Sequence, residues 1–148
     1  MSDVVSIDDA RALVMAHCPA LPAVVVRARA AVGYVLAEPV AAIDDVPPFV
    51  NSAVDGYAVR VASVAGASPS APVELPVVGE VAAGGWSQHV LGEGEAIRIM
   101  TGAPVPAGAD TIVMVEDTER LDGGQRVRIT ACPELGSAVR PIGDDVSA

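Results

Sequence analysis

Three short stretches place chemically capable side chains beside residues that bend the backbone. The first is Asn51-Ser52-Ala53-Val54-Asp55-Gly56. A glycine next to Asp55 lets the chain turn sharply and present the carboxylate outward, where it can ligate a hard cation or orient a reacting group. The same dipeptide also serves as an ordinary turn in which the aspartate bonds its own backbone, and Asn51 and Ser52 are equally good turn formers. The second is Thr101-Gly102-Ala103-Pro104, directly after an alternating apolar run. A hydroxyl and an amide at a strand end can together contact an oxyanion, or the threonine simply caps a turn. The third is Arg140-Pro141-Ile142-Gly143-Asp144-Asp145, whose paired acids can hold a divalent ion or stand solvated on the surface.

Other chemistry is excluded or left plain. No Gly-Lys-Ser/Thr follows Thr101-Gly102, so this is no Walker loop, and Gly92-Glu93-Gly94-Glu95 is an acidic turn rather than a phosphate cradle. His17 and His89 have no partner at metal-ligand spacing. Cys18 and Cys132 read as incidental or buried thiols of a reducing compartment, with a disulfide left open. Trp86, beside Gly84-Gly85, can stack on a ring or pack against its own module.

These groups must be positioned by a chain of 148 residues, enough for one ordinary domain or two small ones. Fourteen glycines and twelve prolines argue for many turns and against a helical bundle. The formal net charge is −10 and all nine cations are arginine. That balance disfavours a nucleic-acid partner. It also means that an anionic ligand needs compensation from a metal ion or from another, basic domain. The N-terminus has neither a basic region nor a long apolar run, and no stretch reaches membrane-spanning length, so the expectation is a cytoplasmic chain without membrane association.

Ser6, with Asp9 three positions on, caps a helix expected over Ile7–His17 that stops before Pro19. The Ala-rich stretch Arg27–Ala37 reads as a second helix, weakened by Gly33 and ended by Pro39. From Val40 the pattern changes to short β-branched runs between Gly and Pro. Strands are expected at 57–59, 73–81 with an interruption at Pro76, 96–100 and 111–116, then a hairpin of 118–121 and 126–130 around Asp122-Gly123-Gly124. The fold class is α+β: short N-terminal helices, then a mostly β module with irregular, bent sheets. Its parts are a helical or mixed stretch 1–45, a β-rich domain 46–131, and a return segment 132–148.

Two longer runs carry more information than any dipeptide: Pro47-Pro48-Phe49-Val50-Asn51-Ser52-Ala53-Val54-Asp55-Gly56-Tyr57-Ala58-Val59-Arg60, and Arg98-Ile99-Met100-Thr101-Gly102-Ala103-Pro104-Val105-Pro106-Ala107-Gly108-Ala109-Asp110. With Gly79-Glu80, Ala83-Gly84, Gly94-Glu95-Ala96 and the end Arg140-Pro141-Ile142-Gly143-Asp144-Asp145, the chain resembles, over nearly its whole length, the N-terminal region of the molybdopterin molybdotransferase family: bacterial MoeA and the E domains of plants and animals such as that of gephyrin. The resemblance implies molybdenum cofactor biosynthesis, in which molybdate is inserted into adenylylated molybdopterin with Mg²⁺ and AMP is released. It implies an elongated homodimer whose site lies between one subunit's N-terminal β domain and the partner's nucleotide-handling domain.

By the same resemblance Asp55, Thr101 and Asp145 fall on positions linked to activity, Asn51, Ser52 and Arg140 on substrate-binding neighbours, and Asp55 and Asp145 on Mg²⁺ ligands. Val50, Val54, Ala138 and Ile142 depart from the family pattern, where an acid, a Met, an Asn and a basic residue are common, and reduce polarity near the site. The α/β domain that binds the pterin and the C-terminal β domain are not among these 148 residues. The expectation is therefore no turnover by this chain alone. It needs the remaining domains in cis or in trans, or else serves as a non-catalytic assembly and dimerisation module.

Overall fold

The structure is a computed structural model, and it describes residues 5–148. Contacts divide the chain into two units, one ending at Val40 and the other comprising Ala41–Ala148.

In the first unit the helix α1 spans Ile7–His17. Ser6 caps it: its Oγ accepts from the Asp9 backbone N–H at 3.1 Å and donates to Asp9 Oδ2 at 2.6 Å, satisfying one of the free amides of the first turn. Asp8 and Asp9 lie at the positive end of the helix and His17 at the negative end, as the helix dipole favours. The second expected helix does not form. Arg27–Ala37 contains only one 3-10 turn, Ala28–Ala30, and Gly33 takes φ +88° just after it. Short helices draw most of their stability from burying an apolar face, and here Val32, Val35 and Leu36 stay 90%, 93% and 73% exposed. With these apolar side chains exposed, alanine content is not enough.

The second unit holds eight strands: β1 Asn51–Ser52, β2 Gly56–Val59, β3 Val73–Val81, β4 Ala96–Ile99, β5 Thr111–Met114, β6 Thr118–Leu121, β7 Arg126–Ile129 and β8 Val139–Arg140. Six form one mixed sheet in the order β5-β2-β4-β3-β7-β6, and β1 pairs with β8 in a separate two-stranded ribbon. Only β3 and β4 run parallel within the large sheet. Together with α1, this is an α+β fold.

Pro76 does not interrupt β3. Residues 73–76 pair with β7, and from Val77 the strand pairs with β4. Val77 donates its N–H to Gln125 O at 2.8 Å, so alternation turns the Pro76 nitrogen away from β7, toward an edge where β4 has not yet begun.

The central strands are buried on both faces. Tyr57, Val59, Ala96, Val113, Val127 and Ile129 belong to one apolar cluster, and Ala58, Ile97, Ile99, Ile112, Val81 and Leu91 to another. Consecutive residues of β2, β4 and β5 thus alternate between two cores, which explains why these strands read as nearly unbroken apolar runs. No helix among the described residues is long and apolar enough to cross a membrane.

Candidate functional site

Strand register places the first two sequence stretches at one end of the large sheet. Gly56 stands opposite Ile99 in the antiparallel β2–β4 pair, so Asp55, just before β2, meets the residues that follow β4. There Met100 O accepts the Ala103 N–H at 2.9 Å, with Gly102 at φ +78°. This is a type II turn, whose third residue needs positive φ and therefore glycine. The turn exposes Thr101 toward Asp55. Asp55 Oδ1 accepts two hydrogen bonds, from the Thr101 backbone N–H and from Thr101 Oγ1, each 2.7 Å long.

Those bonds favour the charged carboxylate. The Thr101 hydroxyl and then its amide, aided by the charge of Arg98, hold Asp55 below the usual carboxylate range against a smaller opposing effect of burial. Asp55 is exposed, and its Oδ2 makes no hydrogen bond among the described residues. A fixed anion with one open oxygen suits a ligand or an electrostatic anchor. It does not suit a general acid, which must hold a proton near the working pH.

The third stretch forms a second grouping. Arg140 donates Nε to Asp144 Oδ2 at 3.0 Å and Nη2 to Asp145 Oδ1 at 2.6 Å. The two carboxylates, Asp145 foremost, raise the Arg140 pKa. Strand β1 links the groupings. Asn51 and Ser52 pair with Arg140 and Val139, while Ser52 O accepts from Gly102 N–H at 2.8 Å and Ser52 N–H donates to Ala103 O at 3.0 Å.

The structure sorts the remaining candidates. Ser52 is 1% exposed, and its hydroxyl is taken up by Val54, donating to the carbonyl at 2.6 Å and accepting from the amide at 3.3 Å. Ser52 thus holds the turn leading to Asp55. Asn51 is 5% exposed, bonds only weakly to Phe49 O at 3.5 Å, and leaves Oδ1 without a partner among the described residues. His89 meets Glu95 at 2.9 Å, and that contact, with the Gly92 amide, holds the Glu95 carboxyl below its ordinary range. Cys18 and Cys132 are both exposed and unpaired, not buried. Arg98, whose charge acts on Asp55 and which pairs with Glu80 at 3.5 Å, escaped the sequence reading. Its place three residues before Thr101 in a long recognisable run is the signal that could have found it.

A family model described as the MoeA N-terminal region (domain I and II) matches residues 5–148. The chain belongs to the MoeA family. It is 46% identical over 116 residues to the molybdopterin molybdenumtransferase 2 of Mycobacterium tuberculosis strain H37Rv, covering 78% of this chain and 28% of that protein. It is 39% identical over 108 residues to the molybdopterin molybdenumtransferase of Staphylococcus aureus strain N315, covering 73% and 26%. The crystal structure of the molybdopterin biosynthesis MoeA protein from Pyrococcus horikoshii OT3 superposes with a TM-score of 0.72 at 37% identity, over 80% of this chain and 31% of that one. The chain thus spans less than a third of the length of these MoeA relatives.

In this MoeA region no three His, Cys, Asp or Glu side chains gather at metal-binding spacing among the described residues. The donor set has no closed cage. Asp55 contributes an open Oδ2, while the Asp145 carboxylate belongs to the separate grouping and is paired with Arg140. A single open carboxylate is compatible with Mg²⁺, which is commonly held by one or two carboxylates with water and substrate oxygens completing the octahedron.

Proposed function

We propose that this chain is the N-terminal part of a molybdopterin molybdotransferase and supplies one half of an active site shared between two subunits of a homodimer. The observation that carries this reading is the Asp55–Thr101 pair, an ionised carboxylate fixed by an amide and a hydroxyl from a stretch 46 positions away. The names of the relatives support the reaction class, molybdenum transfer to molybdopterin. The substrates would be molybdate and adenylylated molybdopterin, with AMP released, in the cytoplasm.

Each group then has a role. Thr101 keeps Asp55 charged and aimed. Asp55, with Asp145, would hold Mg²⁺, which when bound supplies positive charge beside an anionic substrate. Arg140 fixes Asp145, and Ser52 and Asn51 shape the strand between the two groupings. The chain carries a net charge of −10, so attraction for the anionic substrates must come from the ion and from basic groups of the domains that complete the enzyme.

The test is molybdate-dependent AMP release in the full-length protein, or in this chain supplemented with the remaining domains in trans. The chain alone is expected to be silent, the complemented enzyme active, and the Asp55→Ala form inactive at unchanged folding. Full activity of Asp55→Ala would sink the assignment. A second reading, an assembly module without catalysis, is favoured by one observation: Leu21, Val25, Val32 and Val35 of the first unit stay 91%, 104%, 90% and 93% exposed. It predicts subunit association without AMP release in any combination.

A further inference from the structure

Trp86 is the one tryptophan of the chain, and it is not packed into its own module: 71% of it is exposed. Its only aromatic neighbour among the described residues is Phe49, with ring centroids 5.5 Å apart and planes tilted by 55°. An indole left this open gives up most of the free energy its burial would contribute and keeps a ring face available for stacking.

The loop that presents it is hydrogen-bonded on either side of Trp86. Val81 and Leu91, each 2% exposed, anchor its two ends. Between them Gly85 N–H donates to Ala82 O at 2.9 Å, and Ser87 Oγ donates to His89 O at 2.9 Å and accepts from His89 N–H at 3.1 Å. Leu91 N–H donates to Ala107 O at 2.8 Å. Hydrogen-bonded turns thus flank Trp86 on both sides.

Its place in the fold is specific. In the parallel β3–β4 pair Val81 stands opposite Ile99, so both strands end at the same edge, and Met100 N–H donates to Val81 O at 3.1 Å. Thr101 follows β4 there, and the Ala82–Gly85 turn, with Trp86 directly after it, follows β3. Asp55 reaches the same edge from the start of β2, because Gly56 is opposite Ile99. Phe49 lies two residues before β1, whose Ser52 is bonded to Gly102 and Ala103. The aromatic pair and the Asp55–Thr101 pair thus rise from one end of one sheet.

We propose that Trp86, backed by Phe49, is a stacking ledge for a flat bicyclic heteroaromatic ring of the substrate whose charged part is handled through a cation at Asp55, which Thr101 positions. This rests on the function proposed above. Stacking on an exposed aromatic tolerates many rings, because each has a π-face. Adenylylated molybdopterin offers two, adenine and pterin, and the experiment separates them.

A single tryptophan gives a single indole N–H resonance. The intact chain is titrated with AMP, with 6-hydroxymethylpterin, and with ribose 5-phosphate as the ringless control. A saturable shift of the indole resonance with one ring and none with ribose 5-phosphate supports the ledge and identifies the ring. No shift with either ring overturns it. In the complemented enzyme Trp86→Ala should raise KM about tenfold with kcat kept, and Trp86→Phe should recover most of that. An unchanged KM in Trp86→Ala, with wild-type AMP release intact, overturns the ledge and leaves the function standing. Loss of subunit association in Trp86→Ala, with no indole shift by either ring, assigns the residue to a protein contact and also overturns it. Absence of AMP release in every combination rejects the function, while the resonance titration still decides whether Trp86 takes a ring.

Discussion

Gly56 is expected to resist replacement for a reason of space rather than of backbone angle. A Cβ built on it lies 2.0 Å from Val113 O, 3.0 Å from Val113 C and 3.2 Å from Met114 Cα. All three are backbone atoms, so no side chain can swing away. Relief requires β2 and β5 to part by more than an ångström. Neither strand has slack: Tyr57, Ala58 and Val59 are at most 1% exposed, and β2 is ladder-bonded to β4 on its other edge. Overpacking of this kind costs about 1–3 kcal/mol. Loss of one or two ladder bonds near Gly56–Met114 adds about 1 kcal/mol each. The lower chain entropy of alanine in the unfolded state returns about 0.4–1 kcal/mol. Gly56→Ala should therefore cost about 3 kcal/mol, a large share of a typical domain's stability of about 5–15 kcal/mol. Gly79→Ala is the matched control on the same sheet, since its Cβ would meet nothing nearer than Ile97 Cγ1 at 4.0 Å. It should be neutral or slightly stabilising. Urea unfolding, with a slope of about 1–3 kcal/mol/M, should show the Gly56→Ala midpoint lowered by about 1–3 M and that of Gly79→Ala unmoved. Because Asp55 adjoins the displaced strand, its carboxyl should also return toward the ordinary range. A Gly56→Ala midpoint within experimental error of wild type, or an equal loss in Gly79→Ala, would refute the steric reasoning.

Thr101→Val keeps the amide bond to Asp55 and removes the hydroxyl bond, so the Asp55 carboxyl should titrate higher than in wild type yet stay below a free aspartate; carboxyl NMR reads this directly. Asp55 and Glu95 both have lowered folded-state pKa values, so the stability they contribute is present above about pH 4 and is lost as pH falls through those lowered values; Glu95→Gln should flatten part of the fall in the urea midpoint between about pH 5 and 2. Ala138 sits at φ +56°, in the left-handed region that asparagine tolerates better than alanine because its side chain can bond the local backbone, so Ala138→Asn should raise stability by about 1 kcal/mol in thermal or urea unfolding. Asn51→Asp puts a carboxyl at a site 5% exposed with no donor to its oxygen, which raises that pKa; the variant should be less stable than wild type at pH 7 by about 1–3 kcal/mol, with the deficit shrinking as the pH drops below the raised value.

The elements written by local rules are legible in the amino-acid sequence itself. Ser6, Asp9 and the apolar spacing place α1 at Ile7–His17, and alternation between Gly and Pro places β2, β4, β6 and β7 to within a residue or two. Sequence and fold part company where a partner decides. Arg27–Ala37 has helical composition but leaves its apolar side chains exposed among the described residues, and Pro76 fits inside β3 because the pairing changes neighbour there. The site follows the same division. That Asp55 and Thr101 are presented by turns is local information, carried by Gly56 and Gly102. That one carboxylate oxygen takes both bonds of Thr101 depends on the register of β2 against β4, which neither run contains. Ser52 goes the other way: a polar residue in a recognisable run resembles a ligand group, and its hydroxyl closes a turn two residues on. Arg140 could be read more closely, since acids four and five positions ahead on a turning chain are within reach of a guanidinium. Local spacing therefore predicts which groups are presented, and strand register decides which of them act on each other. That is why Trp86 stands out in the sequence only as a residue beside two glycines. Its relation to Asp55 and Thr101 exists solely through the common edge at which β2 begins and β3 and β4 end.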